Sequence, residues 1–252
     1  MYYYILEQPK NKAISKTQEY LRDLLGLLGI AGEVVTVSPA RSTDELVEMG
    51  LSKKYNTIVA VGSDRHINKI ASQMINTKCV LGIIPINASS LINQLIGVSE
   101  LKEAAEILKY RKLKEVNMGL IEPNRYFLTQ AEIQSIKPIK TTITVIGTNF
   151  DSYSIETNIT ELIISRNIYV LLNDKSRGPG LIKGTWSWLT GKKVADIESS
   201  ILRGKKIKIE TSVQVPVIMD GEIIAKTPIV ASLQTRVLKI ITKPDRIVEE
   251  KK

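Results

Sequence analysis

The sequence is poor in the residues that build metal centres and covalent cross-links. Its 252 residues include one cysteine, Cys79, and one histidine, His66. A single thiol excludes an intramolecular disulfide, and this pair alone gives no support for a zinc cluster or a cysteine–histidine catalytic pair. Because Cys79 lies in an apolar run, we predict a plain buried thiol.

The chain also lacks long apolar stretches. No run approaches the roughly 20 apolar residues that a membrane-spanning helix needs. The first seven residues have neither the basic region nor the apolar stretch of a signal peptide. With 43% hydrophobic and 24% charged residues, the composition is that of an ordinary globular protein. The expected location is the cytoplasm, with a peripheral membrane association left open.

Positive charge is in excess and unevenly placed. The formal net charge is +9, and nine basic residues face two acidic ones between Lys175 and Lys208. Such an excess is typical of proteins that bind nucleic acids or anionic membranes. No nucleic-acid recognition motif accompanies the charge, so we expect no specific nucleic-acid partner.

The first half of the chain alternates strand-like and helix-like patterns. Leucines recur at helical spacing over 15–28, and Ser42–Glu45 has the pattern of a capping box. Further helices are expected at 67–75 and from Ser99 onward. The apolar runs that read as strands cover 2–6, 34–37, 57–61 and 80–84. This alternation predicts a doubly wound, mostly parallel sheet.

The second half is rich in short β-branched runs. The expected strands are 141–146, 159–164, 168–172, 207–217, 229–233 and 237–242. Apolar and polar residues alternate in the last of these, as in an antiparallel strand with one solvated face. We therefore expect two domains, a nucleotide-binding-like α/β domain over 1–127 and a mostly antiparallel β domain over 128–252. The C-terminal segment is expected to pack back on the first domain.

Two loops follow the third and fourth expected strands, where doubly wound proteins bind ligands. The first is Gly62-Ser63-Asp64-Arg65-His66, a turn that can aim backbone N–H groups at phosphate. Asp64 would there meet a metal ion or a hydroxyl, or it would simply cap a helix. The second loop follows Pro85 and contains Asn87, Ser89 and Ser90.

The order of motifs resembles the catalytic domains of diacylglycerol kinases, sphingosine-type kinases and bacterial lipid kinases, which are more distantly similar to NAD kinases. The first loop keeps the Gly, Asp and Asn of Gly-Gly-Asp-Gly-Thr and its following helix, as Gly62, Asp64 and Asn68. The segment 82–86 reads Gly-Ile-Ile-Pro-Ile, and 219–222 reads Met-Asp-Gly-Glu, as in that family.

The resemblance implies ATP-dependent phosphoryl transfer to a lipid hydroxyl, with ATP and Mg²⁺ as cofactors. It implies catalytic roles for Asp220, Glu222 and Asp64, with Asp220 as a metal ligand. It also implies a nucleotide or phosphate site, whose residues are Gly62, Ser63, Arg65, His66, Asn68, Asn87, Ser89 and Ser90. In the family both segments border one cleft between the domains, so we expect 62–66 to face 220–222 there.

Three departures from the family concern the nucleotide. Ser63 and Arg65 stand where the phosphate loop has glycines, and their Cβ atoms hinder close backbone approach. Residues 87–91 do not match the family's Gly-Thr-small-Asn-Asp, and the turn over 8–12 has no glycine. We therefore expect weak or no ATP binding. The chain is either a divergent lipid kinase or a non-catalytic module that binds an anionic ligand, a membrane surface or a protein partner.

The only two tryptophans stand in a basic, glycine-rich segment. Trp186, Trp188, Lys192 and Lys193 lie within 178–193. Indoles and lysines favour an anionic bilayer surface, which would place the protein beside a lipid substrate. The alternative is that both indoles pack in the core of the second domain. The sequence also allows a homodimer.

Overall fold

The computed structural model describes residues 2–147, 152–173 and 199–244. The chain divides into two compact units, one of residues 1–116 and 236–252, the other of residues 117–235. The sequence-based boundary at residue 127 thus falls inside the second unit.

The first unit is an α/β layer structure. Its strands are β1 (Tyr2–Leu6), β2 (Glu33–Thr36), β3 (Thr57–Gly62) and β4 (Val80–Pro85). Its helices are α1 (Lys12–Leu27), α2 (Thr43–Ser52), α3 (Asp64–Gln73), α4 (Ser90–Ile96) and α5 (Leu101–Tyr110). The strands pair in parallel in the order β2-β1-β3-β4. The mostly parallel N-terminal sheet expected from the sequence is confirmed.

Sequence features explain these elements. All six residues of β3 are buried, as a continuous apolar run in a parallel sheet requires. Ser42 and Glu45 form the expected capping box at the start of α2. Asn11 caps α1 by accepting a hydrogen bond from the Ile14 N–H at 2.9 Å. Cys79 is a buried free thiol, as expected, and burial raises its pKa.

The second unit is β-rich and mostly antiparallel, as predicted. Its strands are β5 (Leu113–Ile121), β6 (Arg125–Phe127), β7 (Gln130–Ile146), β8 (Ser152–Ser165), β9 (Tyr169–Asn173), β10 (Ser199–Arg203), β11 (Lys206–Thr211), β12 (Pro216–Met219), β13 (Glu222–Lys226) and β14 (Ile229–Ile241). Its main sheet has the order β10-β9-β8-β7-β11-β14, and β12 pairs with both β7 and β13. Inward-facing side chains such as Ile143, Leu162 and Ile207 form its core.

The residue ranges of two strands pass from one unit into the other. The first four residues of β5 belong to the first unit, and so does the end of β14, where Ile240 pairs in parallel with Leu81 of β4. β14 is one continuous strand over Ile229–Ile241, whereas the sequence suggested two strands, 229–233 and 237–242. The expected strand over 207–217 is interrupted, because residues 212–215 form a turn between β11 and β12.

Two helical features escaped sequence analysis. Helix α3 begins at Asp64 rather than at Ile67, so Asp64, Arg65 and His66 form its first turn. Helix α4 was not expected, although Ile92 and Ile96 bury its apolar side. No helix in the described part of the chain is long and apolar enough to cross a membrane.

Candidate functional site

The turn between β3 and α3 is very short. Gly62 ends the strand, Ser63 is the N-cap of the helix, and Asp64 is its first residue. The Ser63 side chain makes no capping hydrogen bond, and its buried Oγ has no hydrogen-bond partner. The first N–H groups of a helix have no partner within the helix, so something else must accept from them.

The carboxylate of Glu7 lies at this helix N-terminus. Its Oε2 accepts a hydrogen bond from the Ser63 backbone N–H at 2.8 Å. Glu7 follows β1 directly, and Gln18 of α1 donates to its backbone carbonyl at 2.8 Å. Because a helix N-terminus attracts negative charge, the Glu7 carboxylate takes the place that an anionic ligand would otherwise occupy.

Glu7 is held in its charged form. Burial alone would raise the pKa of this carboxyl, but the hydrogen bond from the Ser63 backbone N–H and the positive charge of Lys10 hold the pKa below its usual value. Lys10 Nζ lies 3.7 Å from Oε1. The group therefore presents a negative charge at neutral pH.

A second carboxylate joins the two loops. Asp64 Oδ1 accepts a hydrogen bond from the Ser89 backbone N–H at 2.9 Å, and Ser89 is the N-cap of α4. The Ile86 N–H also donates to the Gly62 carbonyl at 2.9 Å. The structure thus brings the loops after β3 and β4 together at one edge of the sheet. Asp64 is not the cap of its own helix, the alternative weighed from the sequence.

Little space remains between these groups. Glu7, Gln8, Lys10, Gly62 and Asn87 are among the residues that line a cavity with room for about one water molecule. A Cβ added at Gly62 would lie 2.7 Å from both Cβ and Oε2 of Glu7. Gly62 is therefore needed for close packing against Glu7.

The polar residues of the first turn of α3 point to different surroundings. Arg65 is exposed, whereas His66 and Asn68 are buried. The ring of His66 is 5% exposed, and its Nε2 lies 3.0 Å from the Ile5 carbonyl oxygen, which can only accept. His66 therefore carries its proton on Nε2, and burial lowers its pKa. The expected phosphate contact of His66 stays a prediction. The burial of the ring argues against it.

The second loop is open to solvent at some positions only. Asn87 and Ser90 are exposed, and Asn87 has a φ of 55°. Ser89 is partly buried, and its Oγ has no hydrogen-bond partner. With its N–H already bonded to Asp64, Ser89 offers no free backbone donor to a phosphate.

The Asp220–Glu222 motif forms a hairpin turn in the second unit. Met219 of β12 pairs with Glu222 of β13, and Asp220 and Gly221 connect them with φ values of 50° and 81°. Positive φ at both central residues is the requirement of a type I′ turn, for which Asp-Gly is a preferred sequence. Whether this turn faces Gly62–His66 stays a prediction.

Solved structures resemble the whole chain. A diacylglycerol kinase from Bacillus anthracis superimposes with a TM-score of 0.71 at 16% identity, over 96% of this chain and 97% of the other. The chain has the diacylglycerol kinase fold. A proposed diacylglycerol kinase from the same organism gives a TM-score of 0.73 at 15% identity and the same coverage. Yeast NADH kinase complexed with NADH gives 0.54 at 10% identity, over 98% of this chain and 84% of the other.

Other comparisons gave no relative. No protein-family model matches the chain, and no curated protein matches it either. At these identities the likeness to solved structures concerns the diacylglycerol kinase fold alone, so activity must be argued from the site.

The site fits a nucleoside triphosphate poorly. The N–H groups of Ser63 and Ser89 already donate to carboxylates, and both carboxylates would repel phosphate. Within the described residues no group of three or more His, Cys, Asp and Glu side chains is placed to hold a metal ion. The role of Asp220 as a metal ligand stays a prediction.

Sequence reasoning missed Glu7. The signal was present, because a carboxylate that directly follows a buried strand of a doubly wound sheet lies at the ligand-binding edge. Trp186, Trp188, Lys192 and Lys193 lie outside the described residues, and their membrane contact stays a prediction.

Proposed function

We propose that this chain is a non-catalytic protein of the lipid-kinase fold, which does not use Mg-ATP and serves as a binding module for an anionic ligand. One observation carries the first part: the Glu7 carboxylate accepts from the Ser63 N–H at the start of α3. Phosphoryl transfer depends on positioning the triphosphate and neutralising its charge. A fixed carboxylate at the N-terminus of α3 hinders the positioning of a triphosphate there and adds negative charge instead of neutralising it.

The anionic ligand is favoured by charge. The chain carries a formal net charge of +9, so negative ligands are attracted over several ångströms at low salt. ATP, Mg²⁺ and a lipid hydroxyl are the partners of the rival function, a divergent lipid kinase. That function is favoured by the retained Asp220-Gly221-Glu222 turn, in which Glu222 is exposed.

Calorimetry with Mg-ATP separates the two functions. We expect the wild type to bind with a dissociation constant weaker than about 1 mM, which is less than about 4 kcal/mol. The Glu7→Gln variant keeps the size of the side chain and removes its charge, so it should bind more tightly than the wild type. Glu33→Gln, which removes a carboxylate bound by Lys53 elsewhere in the first unit, is the matched control and should change nothing.

Micromolar binding by the wild type would contradict the proposal. In that case a transfer assay with diacylglycerol in mixed micelles should show phosphoryl transfer, and Asp220→Asn should abolish that transfer. The double variant Arg65→Gly with His66→Thr, which would bring the loop closer to the family's Gly-Gly-Asp-Gly-Thr, is a poorer test, because His66 is buried against Ile5.

A further inference from the structure

The turn that joins α5 to β5 carries an unusual concentration of positive charge. Residues 109–115 read Lys-Tyr-Arg-Lys-Leu-Lys-Glu, with four basic residues and one acidic residue. Lys109 and Lys114 are both exposed. Within residues 2–147, 152–173 and 199–244 neither of these two has an ion-pair partner.

Two apolar side chains stand among these cations. Tyr110 is 71% exposed and Leu113 is 47% exposed. They are three residues apart, with Arg111 and Lys112 between them and Lys109 and Lys114 on either side. Single exposed apolar side chains are normal, whereas apolar side chains grouped and rimmed by charged residues are typical of interaction surfaces.

The backbone of this turn is fixed. Arg111 ends α5 in the left-handed conformation, with a φ of 50°, and its Nη1 donates to Thr57 Oγ1 at 2.6 Å. The carbonyl of Lys112 accepts from the Thr242 N–H at 2.9 Å. Because the chain is anchored on both sides, presenting Tyr110 and Leu113 to a partner costs little further ordering.

Helix α1 provides an internal comparison. It exposes Tyr20 by 54% and Leu27 by 86%, so exposed apolar residues are not unique to the α5–β5 turn. Around Tyr20, however, the cations Lys16 and Arg22 are matched by the acidic residues Glu19 and Asp23. In the α5–β5 turn, by contrast, the two exposed apolar side chains stand among four basic residues and one acidic residue.

We propose that the α5–β5 turn, formed by Lys109, Tyr110, Leu113 and Lys114, docks on the surface of an anionic phospholipid bilayer; this rests on the anionic-ligand part of the proposed function. The lysines meet lipid phosphates, while Tyr110 and Leu113 insert at the headgroup level. The phosphates of a nucleic acid would contact the lysines but would give Leu113 no apolar contact. A bilayer therefore matches the whole surface better.

Vesicle co-sedimentation of the full chain tests this docking. The probes are phosphatidylcholine vesicles with and without about 30% phosphatidylglycerol, at low and high salt. We expect the wild type to sediment only with the anionic vesicles and to be released by salt. Lys109→Gln with Lys114→Gln should weaken partitioning about 25-fold, since each lysine near an anionic surface contributes a factor of about five.

A second pair of variants separates insertion from charge. Tyr110→Ser with Leu113→Ser should weaken binding about tenfold and leave the salt dependence in place. Tyr20→Ser with Leu27→Ser is the matched control and should sediment like the wild type. Equal thermal unfolding midpoints of all variants would show that lost binding is not lost folding.

Three outcomes would overturn the docking surface. The first is unchanged sedimentation of both α5–β5 variants, and the second is loss of binding only in Trp186→Ala with Trp188→Ala. The third is a wild type that ignores anionic vesicles but binds a labelled single-stranded RNA through Lys109 and Lys114. None of these depends on the Mg-ATP titration, so the non-catalytic proposal and the docking surface can fail separately.

Discussion

Two turns of this chain resemble the lipid-kinase motifs, and they match those motifs to different degrees. At the β3–α3 turn only Gly62 and Asp64 remain, and Glu7 bonds the backbone there. At the β12–β13 turn Asp220 and Gly221 remain together, in a hairpin loop that needs positive φ at both positions. The first turn departs from the family pattern at Ser63 and Arg65, whereas the second matches it at two positions where the backbone has positive φ.

The difference shows why a surviving motif is weak evidence of surviving chemistry. Asp-Gly in a two-residue hairpin is favoured by backbone geometry alone, whatever the side chain of Asp220 does. Gly62 likewise survives beside Glu7, where a Cβ has no room. Ser63 and Arg65 differ from the family pattern, and neither has a positive φ that would require glycine.

The largest expected effect belongs to Gly62. Replacement by alanine places a Cβ 2.7 Å from Cβ and Oε2 of Glu7, at a backbone φ of 157°. We expect Gly62→Ala to lower the free energy of unfolding by about 2–3 kcal/mol, as overpacking does. Urea denaturation measures it, with Gly26→Ala as control, because a Cβ at Gly26 meets nothing within 4 Å. A harmless Gly62→Ala would mean that Glu7 is not held against this turn.

The next effect is that of the Glu7 charge. Glu7→Gln removes a charge-assisted hydrogen bond to Ser63, and we expect a loss of about 1–2 kcal/mol at pH 7. The folded pKa of Glu7 is lowered, so its stabilisation is complete above the unfolded pKa of about 4.3 and is lost as the pH falls through the folded value. The two proteins should therefore converge in stability in acid. A difference that does not change with pH would contradict a charged Glu7.

His66 adds a second pH dependence to this series. Its lowered pKa means that the folded protein binds this proton less readily than the unfolded chain does. Stability should therefore fall in both proteins as the pH drops below about 6.5 toward the folded value. The decline does not cancel between the two proteins, because the Glu7 charge raises the pKa of His66. It should therefore be larger in Glu7→Gln than in the wild type.

Much of the fold follows from the sequence, because buried parallel strands and a capping box leave local patterns. The run 57–61 and the segment Ser42–Glu45 predicted β3 and the start of α2 with small errors. Helix α4 was missed, because Asn87-Ala88-Ser89-Ser90 reads as a polar loop and its apolar side is short. The start of α3 was placed late, because a phosphate loop was expected where the helix already begins.

The candidate site was less predictable, because its decisive contacts join distant parts of the chain. The Glu7–Ser63 hydrogen bond spans 56 residues, and the Asp64–Ser89 bond spans 25. The residue types were enough to predict where the two loops lie in the sequence. They could not predict which carboxylate would accept a hydrogen bond from which backbone N–H. Arg65 and His66 were both expected to bind phosphate because both are polar. Both lie in the first turn of a helix, however, where Arg65 is exposed and His66 is buried.

A smaller effect is expected at Gly221. Its φ of 81° disfavours any residue with a Cβ, although nothing lies within 4 Å of the place where that Cβ would be. Gly221→Ala should therefore cost about 1 kcal/mol through backbone strain alone. Thermal unfolding compared with Gly26→Ala measures this cost. A loss as large as that of Gly62→Ala would indicate packing that the hairpin does not have.

The smallest effect should come from Asp220→Asn. Asparagine accepts positive φ as readily as aspartate, and Asn-Gly suits a type I′ turn at least as well as Asp-Gly. If Asp220 serves only the backbone geometry of the turn, the free energy of unfolding of the variant should lie within about 0.5 kcal/mol of the wild-type value. It should also show the same lack of phosphoryl transfer to diacylglycerol. Transfer by the wild type that disappears in this equally stable variant would show that the Asp220 carboxylate acts chemically, and the two turns would then belong to one working site.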